Sequence, residues 1–167
     1  TVGGQGQAPP ILLVVNTAAP NPFGPYLAEI LRAEGIQSFA TVQLSGLDAG
    51  TLASAKLAVL AETPLTAPQA ALFAGYVNGG GRLVAMKPDA SLAAVLGISV
   101  LAPTTPDGYL LVDQAGPGAG LQAMTLPFKG VAANYALAGA TAVASLYSTR
   151  TTDSGLPAVV TFGRTAT

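Results

Sequence analysis

Three short polar stretches carry the side chains with which this sequence could do chemistry: Asn16-Thr17 with Asn21, Glu62-Thr63, and Lys87-Pro88-Asp89. Each follows an apolar run, namely Ile11 to Val15, Leu57 to Ala61 and Leu83 to Met86. In an open parallel sheet, ligands bind beyond the carboxyl ends of the strands, where the crossover direction reverses. Three loops of this kind should meet there. Glu62 and Asp89 would then place two carboxylates on adjacent strand ends with Lys87 between them, a group able to bind a cation, a sugar hydroxyl or an amine. A plainer reading competes with it: Asp89 caps the helix that follows, Glu62 accepts backbone hydrogen bonds, and Lys87 pairs with either carboxylate.

Other chemistries are excluded or disfavoured by residue type. The 167 residues include no cysteine and no histidine, which removes thiolate nucleophiles, imidazole bases and the commonest transition-metal ligands. A carboxylate pair could run glycoside hydrolysis if one pKa were raised and the other ordinary across a cleft. With one acidic group per loop and no tryptophan, that reading ranks last. Ser45, Ser91, Ser145 and Ser148 lie outside any G-x-S-x-G setting. Gly116-Pro117-Gly118-Ala119-Gly120 lacks the Lys-Ser/Thr of a phosphate loop. Gly79 to Gly81 follows a helical pattern, the reverse of the dinucleotide fingerprint. No metal, nucleotide or other cofactor is expected.

Seven basic and eight acidic side chains nearly cancel and are scattered singly, so no footprint for nucleic acid or anionic lipid emerges. Half the residues are hydrophobic and 9% are charged. The apolar runs are nevertheless about five residues long, far short of the ~20 that span a bilayer. A soluble chain with a large core and no membrane insertion is expected. The length suits one domain.

The elements that must position the polar loops follow from periodicity. Ile11 to Val15, after Pro9-Pro10, reads as a strand buried on both faces. Asn21-Pro22 has the form of an N-cap followed by proline, with Phe23, Leu27, Ile30 and Leu31 at helical spacing until Gly35. Ile36 to Val42 predicts a second strand, and Leu47 to Ala55 a short helix begun by Ser45 or Asp48. Leu57 to Ala61 is a third, buried strand. Thr66-Ala67-Pro68-Gln69 is a capping box opening a helix whose apolar face is Leu72, Phe73, Tyr76 and Val77. Asn78-Gly79-Gly80-Gly81 closes it and leads into strand Arg82 to Met86; Asp89 then caps a short helix, Ser91 to Leu96, ended by Gly97.

Alternating strands and helices with short loops predict a flavodoxin-like, doubly wound α/β parallel sheet of order 2-1-3-4 with helices on both faces. After Gly97 the helical periodicity stops. Short segments at Tyr109 to Val112, Leu121 to Phe128, Tyr135 to Leu137, Thr141 to Tyr147 and Ala158 to Phe162 predict a β-rich, antiparallel extension. Residues 9–97 are thus the βα core and 98–167 the extension of a single α/β domain. Residues 1–8, rich in Gly and Gln, read as a linker or an expression remnant.

Ile11 to Asn16, Ala61-Glu62-Thr63-Pro64 and the run from Tyr76-Val77-Asn78-Gly79-Gly80-Gly81 to Met86 resemble, in that order, the class I glutamine amidotransferase-like superfamily. In particular they are similar to the trehalose-utilisation-type and related domains of large bacterial secreted proteins. The likeness covers roughly Ile11 to Leu96, and Pro157-Ala158-Val159-Val160 resembles a late strand of those domains. What it implies is the fold, and a nucleophilic Cys on the turn after the strand matching Leu83 to Met86, with His and Glu arriving later. This sequence departs from that pattern. Lys87 or a neighbour stands at the nucleophile's place, and no histidine exists to act as its base.

The leading expectation is therefore a non-catalytic accessory or interaction module of a larger exported bacterial protein, whose other domains would be its partners. The abundance of Ala, Gly, Thr and Pro and the start at Thr1 favour an exported fragment, extracellular or at the cell surface, with a cytoplasmic location as the alternative. The second expectation is a small-molecule binder, with a carbohydrate as candidate ligand, built on Asn16, Thr17, Asn21, Glu62, Thr63, Lys87 and Asp89. The third is the carboxylate-dependent hydrolase.

Overall fold

The computed structural model describes residues 9–163. The expected linker at 1–8 lies outside them. By internal packing the chain forms two compact units, the first ending at Leu92 and the second beginning at Ala93. The sequence texture placed its change after Gly97, inside one domain.

In the first unit, four parallel strands run in the order β2-β1-β3-β4: β1 (Ile11–Val15), β2 (Phe39–Gln43), β3 (Leu57–Leu60) and β4 (Arg82–Ala85). This is the order the connections predicted. β1 and β3 are central and buried almost throughout, which is why they read as unbroken apolar runs. Leu13, Val15 and Val59 pack with Ala28 of α1 (Gly24–Ala33) on one face of the sheet. Strand alternation turns Leu12, Val14, Ala58 and Leu60 to the other face, and all four are also buried. α2 (Ala49–Ala53) and α3 (Ala67–Asn78) lie against each other, with Leu52 and Phe73 buried, and α3 also contacts β4.

Local signals account for most helix ends. The Asp48 carboxylate accepts from Thr51 N–H at 2.7 Å and starts α2. The capping box of α3 is formed, Thr66 N–H donating to Gln69 Oε1 at 2.9 Å and Gln69 N–H to Thr66 Oγ1 at 3.5 Å. Left-handed geometry after α3 falls on Gly80, at φ +94°. Gly81 is needed for another reason, since the Tyr76 ring occupies the space a side chain there would take.

α1 begins differently from the sequence expectation. Its N-cap is Phe23 and the proline in its first turn is Pro25, so Asn21-Pro22 precede the helix. Asn21 Oδ1 instead accepts from Phe23 N–H at 3.2 Å in a turn of its own. Phe23 and Ile30, expected on the buried face, are 64% and 54% exposed.

The second unit is antiparallel. One sheet has the order β10-β9-β6-β7, with β6 (Tyr109–Val112), β7 (Leu126–Pro127), β9 (Thr141–Tyr147) and β10 (Asp153–Thr161). A two-stranded ribbon pairs β5 (Ile98–Pro106) with β8 (Val131–Leu137). The segment expected as a strand from Leu121 to Phe128 is strand only at Leu126–Pro127. β5 was not anticipated at all. Its register shifts between Leu101, opposite Asn134, and Thr105, opposite Ala132, so four steps along β5 face two along β8. Asn134 is buried there with both ends of its carboxamide engaged: it accepts from Thr105 Oγ1 at 2.9 Å and donates to the Pro103 carbonyl at 2.6 Å.

Candidate functional site

The polar loops project from the carboxyl ends of β1, β3 and β4, as parallel strands with matched registers require. At the end of β4, the chain turns through Lys87, which has φ +42°. A non-glycine residue in this left-handed region carries strain. It is the corner at which the resemblance places a nucleophile, and here it presents an ammonium group.

Lys87 Nζ lies 2.8 Å from Glu62 Oε1. The other carboxylate oxygen, Glu62 Oε2, accepts from Asn21 Nδ2 at 2.5 Å. Asn21, Glu62 and Lys87 thus join the loops after β1, β3 and β4 in one network. The side chains of Lys87 and Glu62 are 42% and 33% exposed, so water screens the pair and its contribution to stability is small. Beside it, Asn16 Nδ2 donates to Thr63 Oγ1 at 3.0 Å, and Thr63, which is buried, donates on to the Pro64 carbonyl. These two contacts tie the β1 loop to the β3 loop.

Asp89 has other partners. Oδ1 accepts from Ser91 Oγ at 2.6 Å and Ser91 N–H at 2.9 Å, and Oδ2 accepts from Leu65 N–H at 3.2 Å. The Ser91 hydroxyl and amide, aided by the Leu65 amide, hold its carboxyl below the usual carboxylate range. It caps the 3-10 turn Ala90–Leu92 and tethers the loop after β3. Thr17 turns toward β2, its N–H and hydroxyl both facing Gln43 Oε1 at 3.4 and 3.5 Å.

Of the seven residues singled out from sequence, Asn21, Glu62 and Lys87 are therefore brought together, Asn16 and Thr63 form a bracing pair, and Thr17 and Asp89 are engaged elsewhere. The expectation that Glu62 serves backbone donors is replaced by a side-chain partner, Asn21. Gln43 was missed because its contact with Thr17 depends on which loops meet, and Ser91, weighed only as a nucleophile, serves instead as a local partner of Asp89. Among the described residues, no three His, Cys, Asp or Glu side chains cluster as a metal site requires. A groove of about 800 Å³ between α2 and α3, lined by Ala53, Leu72, Gly75 and Tyr76, opens near Lys56 and Arg82, at the amino ends of β3 and β4 and away from this network.

No protein-family model matches the chain, and no curated protein matches it by sequence. Solved structures do share its fold. A cold-adapted β-galactosidase of Rahnella sp. superposes with a TM-score of 0.67 at 17% identity, over 90% of this chain and 26% of the enzyme. A ThuA-like protein of Bacteroides uniformis superposes at 0.59 and 14% identity, over 87% and 71%. A glutamine amidotransferase of Thermotoga maritima gives 0.54 and 15%, over 81% and 66%. The chain is thus an α/β protein with the fold of the class I glutamine amidotransferase-like proteins, which the sequence resemblance implied. It spans about a quarter of the length of the β-galactosidase.

Proposed function

We propose that this chain is a flavodoxin-like, non-catalytic accessory module of a larger exported bacterial protein, of the trehalose-utilisation-type branch with its reactive corner lost. One observation carries the reading: at the strand-to-helix corner the strained position belongs to Lys87, whose ammonium is taken up by Glu62. A protonated, ion-paired amine is no nucleophile, and the sequence offers no histidine to activate another. That a β-galactosidase contains this fold over a quarter of its length supports carriage within a carbohydrate-active protein. An extracellular or cell-surface location and partnership with the parent's other domains belong to the same proposal.

The test is direct. Purified protein incubated with L-glutamine, an aryl ester and aryl glycosides is expected to turn over none of them. Turnover abolished by Lys87→Ala or Glu62→Ala would overturn the reading.

A second reading, a carbohydrate-binding domain, is favoured by the half-exposed Asn21–Glu62–Lys87 network, which keeps donors and acceptors facing solvent. The hydrolase reading has the least support. A general acid needs a raised carboxyl pKa, and that of Asp89 is lowered.

A further inference from the structure

An exposed apolar surface runs from the N-cap of α1 into its second turn. Phe23, Tyr26 and Ile30 are 64%, 53% and 54% exposed and follow one another at helical spacing. The rings of Phe23 and Tyr26 have centroids 5.8 Å apart and planes inclined at 44°, so they form an open angle rather than a flat stack. The aromatic pair is joined to the polar network through the backbone of Phe23. Phe23 N–H donates to Asn21 Oδ1, and Asn21 Nδ2 donates to Glu62, which holds Lys87.

The network has capacity to spare. An ammonium has three donors, a carboxamide nitrogen two, and a carboxylate about four acceptor positions. Among the described residues, Lys87 makes one ion pair, Asn21 Nδ2 one hydrogen bond, and each Glu62 oxygen one contact. The charges of Glu62 and Lys87 also cancel, so the cluster is polar but neutral. An aromatic pair joined through the backbone to a few hydrogen-bonding groups that carry no net charge has the composition of a small-ligand site. A molecule that fits must be apolar on one face, rich in hydroxyls at its rim and uncharged.

We propose that Phe23 and Tyr26 with Asn21, Glu62 and Lys87 form a binding site for a neutral pyranose sugar. The C–H face of the ring lies on the aromatic pair, and its hydroxyls exchange hydrogen bonds with the three polar side chains. This rests on the carbohydrate-binding reading above and extends it to residues outside the strand-end loops.

The experiment is a ligand-observed saturation-transfer NMR titration. The probes are methyl β-D-galactopyranoside, methyl α-D-glucopyranoside and methyl α-L-fucopyranoside, with sorbitol and D-galacturonate as open-chain and charged controls. At least one pyranoside should bind, with saturation strongest on its ring C–H protons, while the controls give no signal. Phe23→Ala and Tyr26→Ala, both at exposed positions, should each weaken binding about tenfold, as loss of a central aromatic anchor does. Glu62→Gln should weaken it as well. Binding lost in Glu62→Gln but untouched by both aromatic variants would overturn this site and leave the broader carbohydrate reading standing. Absence of binding by all three pyranosides, or binding of galacturonate in preference to them, would overturn both. Chain association abolished by Phe23→Ala, without sugar binding, would assign the aromatic face to a protein contact instead.

Discussion

Glu62 sits between Lys87 and Asn21, 2.8 Å from the ammonium and 2.5 Å from the carboxamide nitrogen, so one carboxylate links the ends of three loops. The position that holds Lys87 in place is a backbone one as much as an ionic one. Its φ of +42° lies in the left-handed region that glycine adopts at the least cost.

That geometry separates two contributions. Lys87→Ala removes the ion pair and keeps the unfavourable backbone, whereas Lys87→Gly removes both. The glycine variant is expected to be more stable than the alanine variant by about 1 kcal/mol, read from urea unfolding at pH 7. An alanine variant as stable as glycine would mean that the corner relaxes out of the left-handed region.

Asp89 predicts a pH dependence. Ser91 and the Leu65 amide lower its folded pKa from the ordinary value of 3.8, so the stability it contributes is fully present above that value. It is lost as pH falls through the folded pKa, where the proton binds. Asp89→Ala should therefore cost about 1 kcal/mol at pH 7, a typical capping loss. The gap between variant and parent should close progressively below pH 3.8. A gap independent of pH would place the effect in packing instead.

The capping box of α3 makes a third test. Thr66→Ala strips the acceptor for Gln69 N–H and should cost about 1 kcal/mol. A second substitution, Gln69→Ala, should add less in that background than alone, because the two side chains serve each other's backbone.

In the second unit, Gly97 has φ +66°, and a Cβ built on it would come within 2.6 Å of Phe162. Gly97→Ala is expected to cost about 2 kcal/mol or more, through left-handed strain and the displaced ring together. Phe162→Leu in the same chain should recover part of the loss, measured by thermal unfolding.

Where burial dictated residue type, the sequence was easy to read. β1 lies over Ile11–Val15 and β9 over Thr141–Tyr147 as anticipated, and the sheet order follows from short connections. Competing local signals were not resolvable. Asn21-Pro22 and Phe23-Gly24-Pro25 both look like a helix start, and only packing, with Gly24 pressed against Val15 and Ala61, selects the second. Phe23 then falls outside the helix and into solvent. β5 hid behind Pro103 and Pro106, which interrupt its alternation. For the site, pairing of Lys87 with a carboxylate was legible from charge and loop position. The Asn21 contact was not, since it depends on a turn 41 residues away in sequence.

The extra residues of β5 opposite Asn134 also say how that ribbon keeps its place. Most of β5 is exposed on both sides, and a strand without a dry face has little to stop it sliding along its neighbour. The Asn134 carboxamide engages Thr105 on one side of the shift and Pro103 within it. It behaves as a pawl in a ratchet: a slip in either direction strands a buried amide, and one side chain thereby sets the alignment of the whole ribbon.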